Sequence, residues 1–189
     1  MISGIILAGG QSRRMKQDKA ELPFHQHTML EEMIHKLKQV GIEDIMVSGH
    51  SSHQKTITDD YPMCGPLGGI HACMKHAQNA SCLVISVDVP LVPISALKDL
   101  IDLHEHNHHE ATILIHNECI EPLIGIYNTH LVKPIEVLLQ EKRLAVKNLL
   151  SQIDYQIYNY QGDEALLTNC NTPADYQFVI QLSQSRNKD

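Results

Sequence analysis

The sequence lacks a basic surplus: 15 Lys and Arg stand against 22 Asp and Glu, a formal net charge of −7 over 189 residues. Proteins that hold nucleic acid usually carry the opposite balance, so nucleic acid is not an expected partner. Paired cysteines are also missing. Cys64, Cys73, Cys82, Cys119 and Cys170 are odd in number and widely spaced, with no C-x-x-C pair, which argues against a zinc site and a disulfide framework. No apolar run approaches the roughly 20 residues needed to span a membrane. The apolar stretch in Met1–Gly10 is too short for a signal peptide and has no basic region before it, so the expected location is cytoplasmic. No internal repeat is visible, and neither common phosphate loop, G-x-x-x-x-G-K-[ST] or G-x-G-x-x-G, occurs.

What remains is an ordinary globular composition, 43% apolar, of a length that suits one domain over residues 1–189. The polar stretch Ser183–Asp189 is the part expected to be disordered. Strand-length apolar runs (Ile2–Leu7, Asp44–Ser48, Cys82–Val87, Thr112–Ile115, Pro122–Tyr127, Ile153–Tyr158) alternate with segments of helical period. The helices are expected over Thr28–Val40, with Gly41 as the stop, then Leu67–His76, Ser95–His104 with Ser95 as N-cap, Leu131–Gln140, Leu144–Leu150 and Pro173–Leu182. Thr172-Pro173-Ala174-Asp175 combines an N-cap, proline in the first turn and an acid at the third position. The pattern is α/β: a single Rossmann-like domain with a mostly parallel open sheet flanked by helices. In such sheets ligands bind beyond the carboxyl ends of the strands. Three of those ends carry unusual residues: Leu7-Ala8-Gly9-Gly10, Ser48-Gly49-His50 and Asp88-Val89-Pro90.

The first of these leads into Arg13, Arg14, Lys16 and Lys19, four cations within seven residues of an acidic chain. Two glycines let backbone N–H groups form an anion-binding concavity, and the cations add charge for phosphates. The structural alternative is a tight turn followed by a solvated basic loop. Asp88 likewise reads either as a hard oxygen ligand for Mg²⁺ or as a turn and capping residue. Thirteen histidines, with His104-Glu-His-Asn-His-His109 the densest run, invite a metal reading. That run closes a helix, however, where histidines often meet the last carbonyls.

The segment Leu7-Ala8-Gly9-Gly10-x-Ser12-x-Arg14-Met15-x-x-Asp18-Lys19 closely resembles the signature of the molybdenum cofactor guanylyltransferases, the MobA family. The resemblance continues in order through Gly65-Pro66-Leu67-Gly68-Gly69-Ile70, Asp88-Val89-Pro90, Glu121-Pro122-Leu123 and Asn169-Cys170-Asn171-Thr172-Pro173. It implies transfer of GMP from GTP to the terminal phosphate of molybdopterin, with release of pyrophosphate and with Mg²⁺ as cofactor. It puts Leu7, Ala8 and Gly9 at the guanine base and ribose, and Gly10 at the phosphates. Arg14 and Lys19 match the family's phosphate-contacting cations, and Asp88 its metal-binding aspartate. Asp59 matches an aspartate that contacts the nucleotide, with Asp60 adjacent. GTP and molybdopterin are the implied partners, and transient contact with cofactor-biosynthesis or acceptor proteins is a further expectation.

Two positions depart from the family pattern. Lys16 stands where a glycine is usual, which predicts either a different turn or an added cation. Ser48 stands where some members carry an asparagine that touches the nucleotide, which weakens the argument for guanine. Cytidylyl transfer to molybdopterin, or nucleotidyl transfer to a sugar phosphate, are the alternatives of the same sheet type. A catalytically silent relative would have lost Lys19 or Asp88, and both are present.

Overall fold

Strands in the middle of an open α/β sheet are buried on both faces, so they read as continuous apolar runs whose alternate residues feed two separate cores. Strand β1, Ser3–Leu7, does this: all five residues are buried. Ile6 packs into one cluster while Ile5 and Leu7 pack into the other. The computed structural model describes residues 1–9, 18–49 and 55–186.

Nine strands are described: β1, then β2 Pro23–Phe24, β3 His27–Thr28, β4 Ile45–Ser48, β5 Thr56–Ile57, β6 Ser81–Ser86, β7 Ala111–His116, β8 Cys119–Asn128 and β9 Tyr155–Asn159. Seven form one sheet in the order β5-β4-β1-β6-β8-β7-β9, and β2 and β3 make a separate hairpin. The pairs β5/β4, β4/β1, β1/β6 and β7/β9 are parallel, whereas β8 runs antiparallel to both its neighbours. The helices are α1 Met29–Gln39, α2 Gly65–Met74, α3 Ile94–His106, α4 Val132–Gln140, α5 Val146–Leu150 and α6 Pro173–Arg186. Buried residues of α1, α3 and α6 (Met33, Leu97 and Val179) share the cluster that contains Ile6. Those of α2, α4 and α5 (Ile70, Leu138 and Leu149) share the other. Among the described residues, no helix is long and apolar enough to cross a membrane.

Local chemistry sets most boundaries. Thr28 and Glu31 form a reciprocal capping box at the start of α1, and Gly41, at φ 83°, follows its end. The expected Ser95 cap is corrected: α3 starts after Pro93, in extended conformation, without a side-chain cap bond. Proline fixes φ near the value the first turn requires, so the turn forms two residues earlier than a Ser95 cap would set it. Helix α2 begins at Gly65 rather than Leu67, with Pro66 in its first turn. Helix α6 runs past Leu182 to Arg186, with Ser183 buried, which corrects the expectation of disorder for Ser183–Arg186; residues 187–189 lie outside the described residues.

Two buried histidines give the fold a pH dependence. His104 is 6% exposed and hydrogen bonded to Thr112 Oγ1 (2.8 Å), Ser81 Oγ and Asn128 Oδ1 (both 3.2 Å). His71 is 1% exposed and has no hydrogen-bond partner for either ring nitrogen among the described residues. Burial lowers the pKa of both, most of all by removing the charged ring from water. Asp60 and Glu136 pull His71 the other way and Lys75 adds to the lowering; for His104, Asn128 and Glu105 oppose it and His109 adds to it. A folded pKa below the unfolded value costs nothing while both states are neutral. As pH falls through about 6.5 the unfolded chain takes up protons that the fold refuses, so stability is lost. The limit is about 1.4 kcal/mol per pH unit for each histidine. Urea midpoints are therefore expected to be lower at pH 5.5 than at pH 7.5, and equal midpoints would refute a neutral, buried pair.

Candidate active site

The three unusual strand ends lie side by side because β4, β1 and β6 are adjacent and parallel. Past their last paired residues the chains stay together. Ala8 N–H donates to the Ser48 carbonyl (3.0 Å), and Val87 N–H donates to the Leu7 carbonyl (3.1 Å). A Cβ built on Gly49 would lie 2.6 Å from both the Cα and the N of Gly9. Gly49 also has φ 114°, so two loop backbones touch at a point only glycine fits. Leu7 and Ala8 are buried and Gly9 is exposed at this crossing.

The second glycine pair explains itself in the same way. A Cβ on Gly69 would meet Ser48 Oγ at 2.1 Å, and one on Gly68 would come within 3.2 Å of the Tyr61 carbonyl and 3.5 Å of Asp59 Oδ2. Helix α2 can therefore press its first turns against the end of β4. Ser48 is 3% exposed, and its hydroxyl donates to Asp59 Oδ1 (3.1 Å). Asp60 points elsewhere, to Lys75 at 2.8 Å and toward His71 at 3.7 Å. Of the two adjacent aspartates, Asp59 is the one beside the converging strand ends.

At the end of β6, Asp88 is joined to a distant part of the chain. Cys170 N–H donates to the Asp88 carbonyl (2.8 Å). Lys19 Nζ lies 3.3 Å from Asp88 Oδ2 and 2.8 Å from Asn171 Oδ1, and both members of the ion pair are largely shielded, at 15% and 17% side-chain exposure. Asn171 is held in turn by the start of α6. There Asp175 Oδ2 accepts from Thr172 N–H (2.8 Å) and Asn171 N–H (3.1 Å), while Thr172 Oγ1 accepts from Asp175 N–H (3.2 Å). This capping box keeps the Asp175 carboxyl below its usual range, chiefly through the Thr172 hydrogen bond. A helix cap thus positions an amide that grips Lys19, 152 residues away in sequence.

Asp88 Oδ1 is buried and has no hydrogen-bond partner among the described residues. A shielded carboxylate oxygen that faces nothing is costly unless something cationic comes to it. A hard divalent ion, with phosphate or water as its other ligands, is the chemical match. Among the described residues no group of three or more His, Cys, Asp and Glu side chains could hold a metal on its own. The histidine run near the end of α3 is engaged otherwise: His106 meets the Asp102 carbonyl (2.6 Å) and His109 meets Asp154 (2.7 Å). Gly10, Arg13, Arg14 and Lys16 lie outside the described residues.

Beside Asp88 opens a groove of about 300 Å³. Pro66, Val89, Pro122 and Val146 give it apolar walls; Glu121, Lys147 and Asn169 give it polar ones. Lys147 carried no signal in the sequence, since it is one lysine on a short amphipathic helix. Asn169 and Asn171 stood in a conspicuous block, but their spacing alone could not separate a capping role from a ligand role.

A family model for the MobA-like NTP transferase domain matches residues 4–156. The chain belongs to this family. It is 32% identical over 193 residues to a probable molybdenum cofactor guanylyltransferase of a Geobacillus species, covering 95% of this chain and 98% of the relative. It is 30% identical over 187 residues to one from Carboxydothermus hydrogenoformans, covering 94% of each. The fold is similar to the crystal structure of molybdopterin-guanine dinucleotide biosynthesis protein A from Archaeoglobus fulgidus, with a TM-score of 0.82, 21% identity, and coverage of 97% of this chain and 100% of that one. For this MobA-like chain the sheet, the strand-end loops and the groove lie where an open α/β sheet binds its ligands.

Proposed function

We propose that this MobA-like chain transfers GMP from GTP to the terminal phosphate of molybdopterin, releasing pyrophosphate and forming the guanine dinucleotide form of the cofactor. The observation that carries the reading is the buried Oδ1 of Asp88, which has no hydrogen-bond partner among the described residues, next to Lys19 at the converging strand ends. Leu7, Ala8 and Gly9 are assigned to the base and ribose, and Gly10 and Arg14 to the phosphates. Asp59, fixed by Ser48, is assigned to the nucleotide. The acceptor is assigned to the groove between Pro66, Pro122 and Asn169, which opens beside Asp88.

The reaction asks little covalent chemistry of the protein. An oxygen of the acceptor's terminal phosphate attacks the α-phosphorus of GTP, the bond to the β-phosphate oxygen breaks in line, and its electron pair leaves with pyrophosphate. The nucleophile is already an anion, so no side chain has to remove a proton. Mg²⁺ held by Asp88 would neutralise charge on the phosphate oxygens when bound. Lys19, fixed by Asp88 and Asn171, offers positive charge that needs no reorganisation as the transition state forms. Five cysteines with no disulfide among the described residues suit a reducing compartment, and the reading assigns the activity to the cytoplasm. Burial pushes the thiols of Cys73, Cys82 and Cys170 up to about 12, which leaves them inert.

The test supplies GTP, CTP, ATP and UTP in turn with Mg²⁺ and molybdopterin and follows pyrophosphate. GTP is expected to give the highest kcat/KM. A higher value for CTP would reject guanylyl transfer in favour of cytidylyl transfer.

A further inference from the structure

One wall of the groove is built by an irregularity in the sheet. On the β7/β8 edge Ile113 pairs with Gly125, but the next residue, Leu114, pairs with Glu121. Pro122, Leu123 and Ile124 are therefore opposite nothing on β7, and the bulge presents them and Glu121 to the groove. Tyr127 fixes its shape. The ring is wholly buried, and its hydroxyl donates to the Pro122 carbonyl at 2.6 Å. A bulge tied down by a buried tyrosine gives the side chain at its mouth a defined direction.

That side chain is Glu121. Its Oε1 lies 3.2 Å from His116 Nε2, and its Oε2 has no protein partner among the described residues. The side chain is 27% exposed, against apolar neighbours in Pro66, Pro122 and Val146. A carboxylate here would repel the acceptor's phosphate, so it has to serve another part of the ligand. The apolar lining from Pro66, Pro122 and Val146 suits the faces of a planar ring, and a carboxylate beside it suits two adjacent N–H donors on the ring's edge. The 2-amino-4-oxo pyrimidine edge of a pterin has that pattern, with N3–H next to the exocyclic amine.

We infer that Glu121 is the specificity residue for the acceptor's ring: its carboxylate accepts from N3–H and the 2-amino group of the pterin held in the groove. This rests on the proposed acceptor, and it names the atoms by which that acceptor is read. Glu121 takes no part in the phosphoryl transfer itself.

The test uses Glu121→Gln, which keeps size and shape but replaces one acceptor by a donor. Binding of two small rings is followed by their fluorescence: pterin, with the 2-amino group, and lumazine, with oxygen in its place. Wild-type protein is expected to prefer pterin about tenfold or more, because lumazine would set its 2-oxygen against the carboxylate. Glu121→Gln is expected to reverse the preference, since the amide can accept from N3–H and donate to the 2-oxygen. In turnover the same variant should raise the KM for molybdopterin about 10- to 100-fold and leave the KM for GTP where it was. An unchanged ring preference, or an unchanged acceptor KM, overturns the inference. Ring discrimination without GMP transfer would leave Glu121's role standing and reject the proposed reaction; GMP transfer with a ring preference indifferent to Glu121 would do the reverse.

Discussion

Replacement of Asp88 by asparagine is expected to lower kcat for nucleotidyl transfer by about 10³-fold while the protein folds as before. The size follows from what is removed. A single preorganised group aimed at developing charge is worth on the order of 10² to 10³ in rate, and a carboxylate that recruits a divalent ion commands more charge than one hydrogen-bond donor. The stability side points the other way. Asp88 Oδ1 is buried without a hydrogen-bond partner among the described residues, and Asp88 Oδ2 is only 3.3 Å from a shielded lysine. A neutral amide costs less to bury than a carboxylate, and Lys19 retains Asn171 Oδ1 at 2.8 Å. The urea midpoint of Asp88→Asn should therefore equal or exceed that of the wild type. Loss of activity together with gain of stability is the signature of a residue kept for chemistry. Wild-type turnover in the variant would sink the metal assignment. A large fall in the midpoint would mean that the carboxylate is structural and that its Oδ1 has a partner in the folded protein.

How far the sequence led depended on the range of the forces involved. Strand β1, the helix α1 with Gly41 past its end and the Thr172–Asp175 cap of α6 were legible because each is decided by neighbours within a few residues. The mostly parallel sheet followed from alternation of strands and helices, and with it the expectation that the three strand-end loops share one edge; the order that puts β4, β1 and β6 side by side came from the fold. Short elements were not legible. The two-residue strands β2, β3 and β5 have no period to read, and exist because tertiary pairing supports them. Nor was the bulge at Pro122–Ile124, since an apolar run looks alike whether or not a neighbouring strand keeps pace with it. The family resemblance named Lys19 and Asp88 separately; that Asn171 is what holds Lys19 came only from the fold. Ser48 changes meaning most. In the sequence it was a weaker nucleotide contact, and in the fold its buried hydroxyl ties Asp59 to the end of β4.

Gly49→Ala is the second substitution with a large expected effect, and here stability should respond first. A Cβ at this position would sit 2.6 Å from two backbone atoms of Gly9 and 3.1 Å from the Ala8 carbonyl carbon. Backbone cannot swing aside as a side chain can. The φ of 114° adds strain of its own, since an L-residue with a Cβ rarely adopts it. Together these should cost on the order of 3 kcal/mol, read as a lower urea midpoint with an unchanged slope. The damage should also reach the site. The crossing holds Leu7–Gly9 against Ser48–Gly49 through the Ala8 to Ser48 hydrogen bond, and Ser48 fixes Asp59. Separating the loops therefore moves the residues assigned to the base, the ribose and the nucleotide at once. GTP affinity should fall at least tenfold even at temperatures where the variant is fully folded, whereas a glycine replaced at an open position such as Gly41, with nothing within 4 Å of its Cβ, should lose stability alone. If Gly49→Ala kept both its midpoint and its GTP affinity, the contact between the first and second strand ends would not be what shapes the site.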